Sequence, residues 1–113
     1  MNNNIGDPQM INDLNDMYRQ LHRDIDEWEN LGRERAQAER EYRIQRKLVT
    51  LKHKSEGMAI GLIDKTTDGD VADLKLKVDI AEAKCNACLE HIRALKLEIQ
   101  TLDARIKREW GSV

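Results

Sequence analysis

Residues 71–110 read VADLKLKVDIAEAKCNACLEHIRALKLEIQTLDARIKREW, forty positions without a glycine or a proline. Apolar side chains fall at Val71, Leu74, Val78, Ala81, Cys85, Cys88, Ile92, Leu95, Ile99, Leu102 and Ile106. The steps alternate three and four, which is the seam of a helix packed along another helix. A second stripe runs through Leu76, Ile80, Ala83, Ala87, Glu90, Ala94, Leu97, Thr101 and Ala104. At about 100° per residue it falls on nearly the opposite side of the same helix. A helix with two such faces expects two neighbours, and a single hairpin supplies only one. This stripe predicts self-association, with Leu76, Ile80, Ala83, Ala87, Ala94, Leu97 and Ala104 as the interface.

The flanks set the limits of this helix. Asp70 is suited to cap its N-terminus, with Asp68 an alternative, and Asp73 adds negative charge to the first turn. Gly111 is suited to stop it, after Lys107 and Arg108. Residues 55–69 hold Gly57, Gly61 and Gly69 together with the apolar Met58, Ile60, Leu62 and Ile63. The glycines predict an end to the preceding helix. The apolar group predicts a connection folded over the helix ends and available to a partner.

Upstream, residues 9–54 contain one glycine, Gly32, and no proline. The apolar residues Ile11, Leu14, Tyr18, Leu21, Ile25 and Trp28 again alternate three and four. Leu31 then follows by three, so the stripe predicts one skip of register near Gly32 before it continues through Arg35, Ala38, Tyr42, Gln45 and Val49. Pro8 suits the start of this helix, and residues 1–8 read as a loose tail. The expectation is one all-α domain over residues 9–110. It is a long antiparallel helical hairpin of coiled-coil type, assembled into a multi-helix bundle by oligomerisation. Its intramolecular seam pairs Ile11, Leu14, Tyr18, Leu21, Ile25 and Trp28 with Val78, Ala81, Cys85, Cys88, Ile92, Leu95, Ile99, Leu102 and Ile106.

Composition agrees with long helices. The chain has 113 residues, 35% of them charged, 4% aromatic, and a formal charge of -2. So short a chain with so few aromatic rings argues against a thick core around a substrate pocket. No apolar run approaches the ~18 residues of a membrane span. The polar N-terminus lacks the pattern of a secretory signal, which makes the cytoplasm the expected compartment.

Charge is segregated along the chain. Residues 1–30 carry Arg19 and Arg23 against seven acids, whereas residues 31–54 carry eight Lys or Arg against three. The basic block offers Arg40, Arg43, Arg46 and Lys47 as contacts to nucleic-acid phosphates. The interleaved Glu34, Glu39 and Glu41 suit salt bridges along the helix instead. Cys85 and Cys88 have CxxC spacing with His91 nearby, but one chain lacks a second ligand pair and both cysteines sit on the seam. Residues 64–70 half-resemble a calcium loop, yet its twelfth position would be Lys75 where a glutamate is needed. No nucleophile and base share a context that suggests catalysis, so no enzyme and no cofactor is expected.

Residues 57–70, GMAIGLIDKTTDGD, and the helix after them also carry a resemblance. Gly57, Leu62, Ile63, Gly69, Asp70, Leu74, Ala81, Ile99, Trp110 and Gly111 match a pattern found in small coiled-coil proteins of the early regions of temperate phages and prophages of Gram-positive bacteria. In that pattern a long charged helix and a glycine-containing apolar segment precede a heptad helix that closes on a Trp-Gly pair. Relatives often carry a proline after the first glycine of the connection, where this chain has Met58 and Ala59. The resemblance covers roughly residues 45–111 and transfers no catalytic residue. It implies a protein of the host cytoplasm that binds a host or phage protein, as an accessory to phage DNA replication or recombination. Direct nucleic-acid binding and inhibition of a bacterial defence system are the alternative expectations.

Overall fold

The computed structural model describes residues 8–111, and every regular element among them is an α-helix. Helix α1 spans Pro8–Ser55, α2 spans Ile60–Asp70 and α3 spans Ala72–Gly111. Apart from Pro8, which opens α1, the expected N-terminal tail lies outside the described residues. No helix among the described residues is long and apolar enough to cross a membrane.

The chain divides into two compact units, one formed by the described parts of Met1–Glu29 and Ala87–Val113, the other by Asn30–Asn86. Each unit pairs a segment of α1 with a segment of α3, and the two run antiparallel. In the first unit Asp24 meets His91 and Cys88, while Asp13 and Met17 line a groove with Leu97 and Arg105. In the second, Arg35 meets Glu82 and Glu41 meets Lys77. Residue numbers fall on α3 as they rise on α1, as a hairpin requires.

Burial follows the α3 stripe. Val78, Cys85, Ile92, Leu95 and Ile99 are buried, and Ala81, Cys88, Leu102 and Ile106 are half-buried. The seam of α1 differs from the expected one. Within the first unit the least exposed positions include Met10, Leu14, Met17, Leu21 and Asp24. Within the second they include Leu31, Arg35, Ala38, Tyr42 and Val49. Ile11, Tyr18 and Trp28 are exposed, while Ile25 is half-buried. The correction is one of phase. Met10, Met17 and Asp24 stand at the inner positions where Ile11, Tyr18 and Ile25 were expected. Methionine is flexible and fills such a seam readily. With this phase the steps of four and three run through residues 28 and 31 without a skip, and Gly32 is an exposed glycine within a continuous helix.

Helix α1 ends as its glycine suggests. The Gly57 N–H donates to the Lys54 carbonyl at 3.1 Å and the Met58 N–H donates to the His53 carbonyl at 3.1 Å. These are the paired 5→2 and 6→1 bonds of a Schellman motif, with Gly57 at φ 80° in its left-handed position. The segment beyond is the main departure from the sequence reading. Residues 60–70 form helix α2 and not an irregular connection, despite Gly61 and Gly69. Ile63 and Thr67 are four apart on its buried face, and this burial outweighs the poor helix propensity of the glycines.

Asp70 does not cap α3. It is the last residue of α2, and the backbone bonds run on past it: Val71 N–H donates to Thr67 O at 3.0 Å and Lys75 N–H donates to Val71 O at 2.9 Å. Carbonyls of α2 therefore receive N–H groups at the junction, where a free helix start would need a side-chain cap. The half-resemblance to a calcium loop falls on this helix as well. Asp64 and Asp68 both face Arg46, and Asp70 faces His53.

Candidate interaction faces

Helix α3 turns its Val71–Ile106 stripe inward, so the residues on its far side are left outside. In the unit Asn30–Asn86, Leu76 is 56% exposed and Ile80 47%, and Ala83 is exposed beside them. In the other unit Leu97 is 64% exposed, and Ala87, Ala94, Thr101 and Ala104 are exposed too. These are the residues whose spacing predicts self-association. Each unit also has an open groove between its two helices. In the unit Asn30–Asn86 a groove of about 530 Å3 has Ala38, Ile80 and Ala81 on its floor and Arg33, Lys77 and Lys84 at its rim. In the other, a groove of about 500 Å3 is lined by Met17, Leu97 and Leu102, with Asp13, Glu98 and Arg105 around them. Small and apolar floors between charged rims are suited to side chains of another helix.

The four apolar residues of the expected partner loop separate. Ile63 is buried against its own unit and Met58 is half-buried, so neither is free for a partner; Ile60 is 90% exposed and Leu62 is exposed. Period-four packing of Ile63 and Thr67 decides this division, and an irregular loop would have imposed no such period.

Helix α2 is tied to α1 by polar groups. Arg46 donates to Asp68, with Asp64 at 3.9 Å, and the Asp68 bond holds the guanidinium above its ordinary pKa against the opposing effect of burial. His53 Nε2 lies 2.7 Å from Asp70 Oδ2, while its Nδ1 is buried without a hydrogen-bond partner. Thr67 is 0% exposed, and its Oγ1 likewise has no partner. On α3, Lys75 is raised above its ordinary pKa by its bond to Asp79, and it sits 5.8 Å from the centre of the Tyr42 ring. Arg46 therefore serves the fold, as Arg35 does through Glu82 of α3. Arg43 pairs with Glu39 at 2.8 Å, whereas Arg40 and Lys47 are exposed with no partner among the described residues.

Cys85 is a buried thiol and Cys88 is half-buried, its Sγ donating to the Asp24 carbonyl at 3.5 Å. Asp24 is a polar member of the α1 seam in its unit. It accepts from Gln20 Nε2 at 2.7 Å and faces His91 Nε2 at 3.4 Å. Among the described residues no cluster of three or more His, Cys, Asp or Glu side chains is arranged to hold a metal ion.

One exposed group escaped the sequence reading. Ile44, Leu48 and Leu51 stand on the outer side of α1 at i, i+4 and i+7. That spacing was visible, but it was hidden among residues assigned to the seam or to the basic block. Comparison of the chain with known protein families, with curated proteins and with solved structures finds no match.

Proposed function

We propose that this protein is a non-enzymatic helical interaction protein that self-associates into a multi-helix bundle through the outward stripe of α3. The observation that carries the reading is the exposure of Leu76, Ile80 and Leu97, spaced along one stripe of a helix whose opposite side is already packed. Scattered exposed aliphatic residues need no explanation, but a periodic stripe of them does. Fully burying a leucine or isoleucine contributes about 1.5–3 kcal/mol, and with about half of each side chain still exposed, each of these three positions offers an interface about half of that. The small residues Ala83, Ala87, Ala94 and Ala104 allow another helix to approach closely.

The resemblance to phage early-region proteins supports an accessory role in phage DNA replication or recombination, exercised in the host cytoplasm by binding a host or phage protein. Inhibition of a bacterial defence system is the same kind of activity with a different target. Affinity capture with and without nuclease distinguishes a protein partner from one bridged by nucleic acid.

Analytical ultracentrifugation tests the self-association. The wild-type chain should sediment as a multiple of its 13.1 kDa mass. Leu76→Glu combined with Leu97→Glu should reduce the mass to that of one chain, with helicity by circular dichroism retained. A wild-type monomer at 100 μM, or an assembly untouched by both substitutions, refutes the reading.

A further inference from the structure

The internal ion pairs of α1 leave an uncompensated line of positive charge. In the unit Asn30–Asn86, Glu39 is taken by Arg43 and Glu41 by Lys77, while Arg46 is taken by Asp68. Arg40, Lys47 and Lys54 remain exposed, with no partner among the described residues. They are seven residues apart, so they share one line along the outer side of the helix, at about 10.5 Å intervals. Along this line Lys47 and Lys54, with Arg43, Arg46, Thr50 and Leu51, surround a shallow hollow of about 390 Å3. About one Debye length apart at 0.1 M salt, these exposed charges hardly disturb one another and stand open to an external polyanion.

We propose that this outer face of α1, from Arg40 to Lys54, binds the phosphodiester backbone of a nucleic acid. Extended phosphates match a line of point charges at regular intervals. Lysine and arginine side chains are long enough to reach them from an exposed helix. The face carries no aromatic ring on which a base could stack, so binding is independent of sequence. Ile44 and Leu51 fall on the neighbouring line of the helix, where Leu51 also lines the hollow, and a phosphate contact does not depend on them. An acidic amphipathic helix as the occupant would need them. The inference stands apart from self-association, because it uses α1 and not the outward stripe of α3.

Fluorescence anisotropy with a labelled DNA duplex tests it. Three contacts, from Arg40, Lys47 and Lys54, predict a slope of log K against log salt of about -2.7, so affinity falls about 40-fold between 50 and 200 mM KCl. Lys47→Glu with Lys54→Glu should weaken binding at least ~10-fold at 50 mM KCl. Lys47→Gln with Lys54→Gln should reduce the slope to about a third while circular dichroism stays unchanged. Lys84→Glu with Lys96→Glu makes the same change of net charge on α3 and should have the smaller effect. No binding by the wild type at 50 mM KCl overturns the proposal. So does equal loss in the α3 control, or loss of binding in Leu48→Ser with Leu51→Ser.

Discussion

Replacing Thr67 by valine removes a hydroxyl and keeps the shape of the side chain. Thr67 is 0% exposed, and its Oγ1 meets neither water nor a hydrogen-bond partner. A buried hydroxyl in that condition costs about 1–3 kcal/mol of desolvation. Valine replaces it with a methyl group, whose burial contributes about 0.8 kcal/mol. Threonine and valine have nearly equal helix propensity, so the backbone of α2 is not affected. The expected gain is about 2–4 kcal/mol, or a rise in Tm of roughly 8–16 °C for a chain of this size. Urea denaturation should show a higher midpoint with an unchanged m-value, measured at one protein concentration because assembly also contributes to stability. Thr67→Ser, which keeps the hydroxyl and loses the methyl, should be the less stable variant. A destabilised Thr67→Val beside a near-native Thr67→Ser would show that the hydroxyl has a partner after all and refute the reasoning.

Two further outcomes follow from the same geometry. Gly57→Ala meets no atom within 4 Å, so its cost is that of a left-handed backbone alone; thermal melts should show a loss of about 1–2 kcal/mol. A double-mutant cycle on Arg46→Ala and Asp68→Ala should give a coupling of about 1 kcal/mol or less at 150 mM salt, because solvent screens the largely exposed Asp68 carboxylate.

The architecture was legible because helix packing writes a period into the sequence. On α3 the buried residues are aliphatic or cysteine, and the stripe stands out against charged neighbours. The α1 seam was harder to read because its inner line contains Asp24 and two methionines, while the more strongly apolar Ile11 and Tyr18 stand outside it. A rule that prefers the most apolar residue therefore lands one position off. Asp24 is tolerated inside because Gln20 and His91 reach it, and such partners come from tertiary structure. Helix α2 was illegible for a different reason. Gly57 before it and Gly61 and Gly69 within it look alike in sequence, yet of the three only Gly57 takes a positive φ. The exposed stripes belong to the chain's surface, and spacing alone could mark them without saying which helix covers which.

The Schellman turn at Gly57 also bears on how the chain finds its fold. Pairings are ordered by distance from that turn: His53 and Asp70 are 17 residues apart, Arg46 and Asp68 22, Glu41 and Lys77 36, and Asp24 and Cys88 64. Loop-closure entropy rises only by about 0.6 kcal/mol for each doubling of loop length. Once the innermost pair has formed, each later pair closes a short remaining loop and not the whole one. This order predicts a zipper that starts at Gly57, in which the unit Asn30–Asn86 assembles first and the pairing of Asp24 with Cys88 forms last. Substitutions near the turn should slow refolding, and those near Asp24 should chiefly hasten unfolding.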